Sequence, residues 1–510
     1  MRRRPVDLIT PVSSALLLIL LQGCSAPLEV GDPARAPTHG ELSLAPTRLR
    51  GQDEDVQTGT LEVAEDPGVE GGRRIPLHVV VIPARKPGLH RPPLFFIDGG
   101  PGLASTNAAA IYLTDLSAFR EERDVVLVDV RGTGASGGLQ MAPKNKSPLL
   151  AAMEDLYPTE WIKAGRMDLE TRANLECYTT EHVVADLDAV RRALGYEQID
   201  LHGLSYGTRV ALGYMRRHPK QVHAAVLQGT APAALHIPMY HSATAQRAMS
   251  GLFAECAADP KASARFGDLA EKLRTVQARL RAAPAHVRFT EPGSDAESEV
   301  VISADMFVEW LRRMLYSRES SQVVPLLVQR GSEGQFDTFL RLVAMFAGGS
   351  GSRGPGLADG FNLCVTCAED VPFIDAEEAI RLAQGTFFGD FRVVQQRRAC
   401  ELWRRGAVPA DFFEPVAVDT PVLILCGGLD PVTPLSFSAE VARHLPNARM
   451  IVIPRMGHTE DGLSNLDCFN RLLIDFLDRG SAVGLDTSCI ETMLPGPVFM
   501  DESEMTFLGK

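Results

Sequence analysis

The order of strand-like and helix-like segments predicts an α/β fold: a mostly parallel sheet with helices on both faces, interrupted by a helical insertion. Three observations carry this expectation. Short apolar runs, Leu94–Ile97 and Val125–Val128, close on Asp, Gly or Arg loops as strands buried on both faces do. Amphipathic helical patterns alternate with such runs up to about residue 230. From about Ala231 to Phe413 the pattern is mostly helical, and alternation then resumes.

Taken in order, Arg2, Arg3 and Arg4 precede an apolar run, Ala15–Leu21, too short for a bilayer span of about 20 residues. Leu21-Gln22-Gly23-Cys24 resembles the bacterial lipobox, which makes residues 1–23 a signal peptide and Cys24 the expected lipid attachment. Gln22 departs from that pattern, and the alternative is a plain signal peptide cut near Gly23. Either way export is expected, and no later stretch is apolar enough to span, so membrane attachment would be through the lipid alone. Residues 24–60, rich in Pro, Gly, Ala and charge, are expected to be a flexible tether.

The first part of the core is expected over 61–230. It holds a strand at Ile75–Ile82 ended by Pro83 and a helix carrying Val183, Leu187, Val190 and Leu194. A strand at Ile199–His202, a helix at Tyr206–Arg217 and a strand at Ala224–Leu227 follow. The insertion, a helical cap, is expected over 231–415, with Phe307, Trp310, Leu311, Met314 and Leu315 at helical spacing. The second part of the core, 416–480, reads strand (Pro421–Cys426), helix (Ser436–His444), strand (Arg449–Ile453) and helix (Cys468–Leu477). Residues 481–510 form the C-terminal tail.

The formal net charge is −13, and without Arg2, Arg3, Arg4 and Asp7 there remain 48 basic and 63 acidic residues, a net −15. An acidic chain with no basic stripe is a poor nucleic-acid binder. Of nine Cys, eight remain if Cys24 carries lipid, and export makes disulfides their default use. Cys364 and Cys367 have CxxC spacing, but without a second such pair or a His cluster no zinc site is expected. Cys468 and Cys489 bracket the last helix and the tail as a candidate staple, and Cys426 sits in an apolar strand as a candidate buried thiol.

The chemistry centres on Gly203-Leu204-Ser205-Tyr206-Gly207, a G-x-S-x-G between an expected strand and an expected helix. That turn presents a Ser hydroxyl at a helix N-terminus, where free N–H groups favour negative charge. A Ser nucleophile needs a base and an orienting acid. His458, in Met456-Gly457-His458, and Asp430, in Gly427-Gly428-Leu429-Asp430-Pro431, follow strands and fall on the same sheet edge as Ser205. His444 suits a solvated helix end, Asp461 is too near His458 to reach under it, and Gln228 cannot be an anionic partner. Asp98-Gly99-Gly100-Pro101-Gly102 follows another strand, and its glycines let backbone N–H groups approach a ligand. The Gly100 and Tyr206 N–H groups are the expected oxyanion hole.

The segments GGPG (99–102), DVRGTGAS (129–136), GLSYGT (203–208), GLDPVTP (428–434) and GH (457–458) together resemble the prolyl and tripeptidyl aminopeptidase group of α/β-hydrolases. CAED (367–370) and LDTSC (485–489) are similar to its secreted tripeptidyl-aminopeptidase-like branch. The resemblance spans about residues 75–490. It implies the α/β-hydrolase fold and hydrolysis of peptides or amides from a free N-terminus under a helical cap. It also implies that Asp129 and Arg131 brace loops rather than react, and that cap carboxylates meet the substrate ammonium, with Glu369 and Asp370 at the matching positions. The alternative for that pair is a solvated acidic turn. Asp98 stands where proline iminopeptidases usually have His, which weakens any expectation of proline preference.

The expected reaction is acyl transfer, with Ser205 attacking, His458 as general base and Asp430 orienting it, and no metal or cofactor is implied. An esterase using the same residues and a non-catalytic surface binding protein are the competing readings.

Overall fold

The computed structural model describes residues 42–86, 91–292, 297–348 and 356–505. Cys24, the expected signal peptide and the tether up to residue 41 lie outside the described residues.

Nine strands form one sheet: β1 (Ala45–Arg48), β2 (Asp55–Ala64), β3 (Arg74–Ile82), β4 (Leu94–Ile97), β5 (Val125–Val128), β6 (Ile199–Leu204), β7 (Val222–Gln228), β10 (Val422–Gly427) and β11 (Ala448–Ile453). Their spatial order is β1-β2-β3-β5-β4-β6-β7-β10-β11. From β5 to β11 every neighbouring pair is parallel, while β1, β2 and β3 join antiparallel at one edge. The central strands are apolar on both faces because both faces are covered. Val79, Val126, Leu201 and Ile424 face one core with the helices Thr180–Ala193 and Tyr206–Arg217. Val80, Leu127, Val226 and Leu425 face the other with the helix Leu466–Arg479. Each fully buried aliphatic side chain contributes about 1.5–3 kcal/mol to the folded state.

Two strands depart from the expected tether. β1 and β2 lie at residues 45–48 and 55–64, so part of the stretch expected to be a loose arm pairs into the sheet. Their apolar signal is weak because this edge is half exposed: in β2 only Val56 and Leu61 are buried. Gly59 is needed there, since a Cβ would stand 2.5 Å from the Ser43 carbonyl.

Between β7 and β10 the chain leaves the sheet and builds a second core, with Met249, Leu273, Phe307, Leu311, Phe339 and Val343 among its buried residues. This stretch, expected to be mostly helical, also holds an antiparallel strand pair, β8 (Ala285–Thr290) with β9 (Glu297–Ile302). The pair is half exposed and charged, and its one apolar run, Val300–Ile302, is too short to announce a strand. Cys367–Cys400 joins the helices Asp359–Glu369 and Phe391–Glu401, and Cys468–Cys489 pins the last helix to the tail. Closing the 33-residue loop stabilises by about 3–4 kcal/mol in the chain-entropy picture. Cys364 of the CxxC pair is a buried free thiol, as is Cys426. No helix among the described residues is long and apolar enough to cross a membrane.

Candidate active site

Ser205 is the one residue between β6 and the helix Tyr206–Arg217, and it takes φ 56°, ψ −120°. A non-glycine residue there is strained, and it persists only when the surroundings fix it. They do so on both sides. Ser205 N–H donates to the Gln228 carbonyl at 2.8 Å, and Thr208 donates to the Ser205 carbonyl through N–H (2.9 Å) and hydroxyl (2.6 Å). The flanking glycines allow close packing: a Cβ at Gly203 would stand 2.7 Å from Thr208 N, and one at Gly207 would run into the Ile97 carbonyl.

Asp430 and His458 come together from the loops after β10 and β11. Asp430 Oδ1 accepts from the N–H groups of Val432 (2.7 Å) and Thr433 (2.9 Å). Its Oδ2 accepts from the Thr433 hydroxyl (2.6 Å) and from His458 Nδ1 (2.8 Å). A carboxylate only accepts, so the neutral imidazole carries its proton on Nδ1 and leaves the Nε2 lone pair free. Nε2 is buried and has no hydrogen-bond partner in this state. The ring is seated by Gly229, where a Cβ would stand 2.8 Å from His458 Cε1. Because the Ser205 N–H bonds to Gln228, the residue before Gly229, the Ser205 backbone and the imidazole meet one short piece of chain, while no hydrogen bond joins the Ser205 hydroxyl to Nε2.

The insertion supplies the rest of the seat. The Tyr316 carbonyl accepts the N–H groups of His458 (2.6 Å) and Thr459 (3.0 Å), and its ring meets the imidazole edge-on at 5.2 Å. Thr244 hydroxyl donates to the Pro431 carbonyl (2.8 Å), and Arg247 donates to the carbonyls of Gly428 and Asp430. Thr433 follows its acid by three residues in GLDPVTP, a local capping pattern legible in sequence. Tyr316, Thr244 and Arg247 carry no such signal.

Gly99 packs on Ser205, since a Cβ there would stand 2.9 Å from the Ser205 Cβ. Gly100 is exposed and takes φ +114°, a conformation for glycine. Tyr206 opens the helix, so its N–H is among the first-turn donors that lack an intrahelical partner. Asp129 holds the loops around this corner: Oδ1 accepts Thr106 N–H (3.0 Å) and Oδ2 accepts Ala135 N–H (2.9 Å). Arg131 is buried and pairs bidentately with Asp186, both contacts at 2.7 Å, while also donating to the carbonyls of Glu65 and Cys177.

Glu369 and Asp370 do not stand free for a substrate ammonium. Both are fully buried and both pair with Arg209 of the helix behind Ser205, Glu369 at 3.2 Å and Asp370 at 2.8 Å. Glu369 also accepts from the N–H and hydroxyl of Thr180, and Asp370 from Ile237 N–H. The sequence motif marked these acids but could not show the one arginine that they share. The same helix, Asp359–Glu369, meets the glycine loop at its other end: Ala358 N–H donates to Gly102 (2.9 Å) and the Asn362 amide to Pro101 (3.0 Å). One helix thus ties the glycine loop to the helix that follows Ser205.

Other acids near Ser205 have no arginine. Burial pushes the Asp98 carboxyl up to about 6, although Gly99 N–H donates to it at 2.6 Å. Burial, reinforced by Asp461, pushes Glu460 to about 7, with the Gln228 amide donating to it at 2.6 Å. Burial lowers His202 to about 4, and its Nε2 meets the other end of the same Gln228 amide at 3.3 Å. Among the described residues no group of three or more His, Cys, Asp or Glu side chains could hold a metal ion.

Residues 92–459 match the model of the alpha/beta hydrolase fold family. Serine protease Hip1 of Mycobacterium tuberculosis is 24% identical over 383 residues, covering 68% of this chain and 71% of that protein. A probable proline iminopeptidase of Streptomyces coelicolor is 30% identical over 142 residues, 28% of this chain and 34% of its own. The crystal structure of proline iminopeptidase from Mycobacterium smegmatis aligns with 82% of this chain and 98% of its own at 17% identity, with a TM-score of 0.42. The chain belongs to the alpha/beta hydrolase fold family and is a serine hydrolase related to the prolyl aminopeptidase group.

Proposed function

We propose that the chain hydrolyses peptide or amide bonds near a free N-terminus through an acyl-enzyme on Ser205. The observation that carries this reading is the Asp430–His458 pair, with Nε2 unpartnered and the ring seated beside a strained Ser205. His458 Nε2 takes the hydroxyl proton as Oγ attacks the scissile carbonyl. Asp430 keeps the tautomer and stabilises the imidazolium. The N–H groups of Gly100 and Tyr206 receive the developing oxyanion. His458 then protonates the leaving amine, and water, deprotonated by the same nitrogen, frees the acid.

With Glu369 and Asp370 spent on Arg209, Asp98 and Glu460 are the carboxylates left near Ser205 to attract a substrate ammonium. The same occupation of Glu369 and Asp370 favours a second reading, an acyl esterase indifferent to a free amine. Paired fluorogenic substrates decide between them: free peptides, the same peptides N-acetylated, and short acyl esters. We expect turnover of free peptides, lost on acetylation and reduced at least about 10³-fold in Ser205→Ala. Ester turnover with no peptide turnover would move the assignment to the esterase.

Export and lipid attachment at Cys24 belong to this reading, supported by the residue pattern before Cys24 and by two disulfides, which need an oxidising compartment. Membrane fractionation of the Cys24→Ala chain tests it, with release into the soluble fraction expected.

A further inference from the structure

The insertion holds a charged pocket, lined in part by His241, Glu309, Arg312 and Arg392. Glu309 is its one carboxylate there, and it is shared among three guanidinium groups: Arg312 through two contacts (2.7 and 2.8 Å), Arg392 (2.8 Å) and Arg313 (3.1 Å). Arg313 is 44% exposed and stands outside the pocket, so within it one anion faces two cations, which leaves an excess of positive charge on groups mostly withdrawn from water. Glu309 and Arg312 are buried, and Arg392 is one-fifth exposed with its Nε–H unpartnered. His241 lines the same pocket 5% exposed, and neither of its ring nitrogens has a hydrogen-bond partner. A buried imidazole with two idle nitrogens is costly unless a ligand uses them.

The pocket lies beside the reaction centre. Arg312 donates to the Tyr316 hydroxyl at 3.2 Å and stands 5.4 Å from the centre of that ring. The Tyr316 ring in turn lies 5.2 Å from the His458 imidazole. At ~3.3 Å per extended residue, about three residues of peptide cover the distance from imidazole to guanidinium.

We infer that this pocket is a carboxylate subsite, in which Arg392, Arg312 and His241 hold an anionic group of a short peptide bound across Ser205. The group is either the peptide's C-terminal carboxylate or an acidic side chain. The choice of a peptide as ligand rests on the peptidase reading above. A guanidinium donor set suits a carboxylate because the fork geometry matches its two oxygens and the bonds are charge-assisted.

The test is calorimetric binding to the Ser205→Ala chain, which separates recognition from turnover. Four peptides distinguish the sources: Ala-Ala-Ala and its C-terminal amide, then Ala-Ala-Glu amide and Ala-Ala-Gln amide. We expect the acid of one pair to bind about tenfold more tightly than its neutral partner, a plausible yield for one charge-assisted contact. Arg392→Gln should erase that preference and Arg392→Lys should keep part of it. Acids and amides binding alike, or neither binding, would overturn the subsite, as would a preference that survives Arg392→Gln. The acid-to-amide contrast needs no pocket variant, so misfolding of Arg392→Gln would not protect the idea. Turnover by the unaltered enzyme is read separately. Turnover without acid preference removes the subsite alone, and acid preference without turnover removes only the peptidase reading.

Discussion

At the carboxyl edge of the sheet, the Asp430 carboxylate accepts from two backbone N–H groups, a hydroxyl and an imidazole, while the arginine beside it, Arg247, bonds only to its backbone carbonyl. In the insertion, Glu309 accepts from three guanidinium groups. Burial opposes the charge of Glu309, yet Arg312 and Arg392 outweigh it and hold its carboxyl well below the usual range. The difference teaches what each acid is for. In the proposed mechanism the Asp430 carboxylate stabilises a transient imidazolium, and its other partners are neutral donors that leave its field on the histidine. A carboxylate that organises cations is surrounded by them. Glu369 and Asp370 form a third case: two acids share one guanidinium, Arg209, one turn beyond Ser205, and burial pushes the Glu369 carboxyl up rather than down.

The largest break in this comparison comes from Arg209→Met. It strands two buried carboxylates, so stability should fall by about 3–5 kcal/mol, read by denaturant unfolding. Arg209→Lys should recover part of the loss. If Arg209→Met unfolds like the parent, the pairing with Glu369 and Asp370 does not hold the insertion to the helix after Ser205.

A smaller effect tests the seat of the histidine. Gly229→Ala puts a methyl group where the imidazole lies, at a positive φ of 62°. It should lower kcat about 10²-fold with little change in KM, since the displacement disturbs chemistry rather than binding. An unchanged kcat would mean that His458 is positioned by Asp430 and Tyr316 alone.

The smallest effect concerns the acids without arginine. Asp98 rises from an ordinary 3.8 to about 6 and Glu460 from 4.5 to about 7, both by burial first. A raised acid favours the protonated folded state. Its stabilising contribution is full below about pH 4 and is lost as pH climbs through 6 to 7. Asp98→Asn and Glu460→Gln should each flatten the fall of Tm between pH 4 and 7.5, by about 2 °C. An unaltered slope would show that these carboxyls ionise normally.

Much of this was legible in the chain. The helix Tyr206–Arg217 runs as its periodicity and Pro219 imply, and the strands around it sit within a residue or two of their apolar runs. GxSxG, GLDP and GH each mark a turn at the end of a strand, and a parallel sheet brings strand ends of like direction to one edge. The half-exposed strands β2, β8 and β9 were not legible, because their polar faces hide the alternation. Glu369 and Asp370 were visible as acids, but their pairing with Arg209 joins residues about 160 positions apart.

Local chemistry, then, was written in the sequence alone: a strained serine turn, an acid and a histidine after later strands, and glycines where backbones meet. The side-chain periods and turn residues that encode these are short-range. Which acids stay free, which are silenced by arginine, and where Tyr316 and Gly229 set the imidazole were decided only by the tertiary structure. Burial and charge pairing depend on which distant side chains the fold brings within a few ångströms.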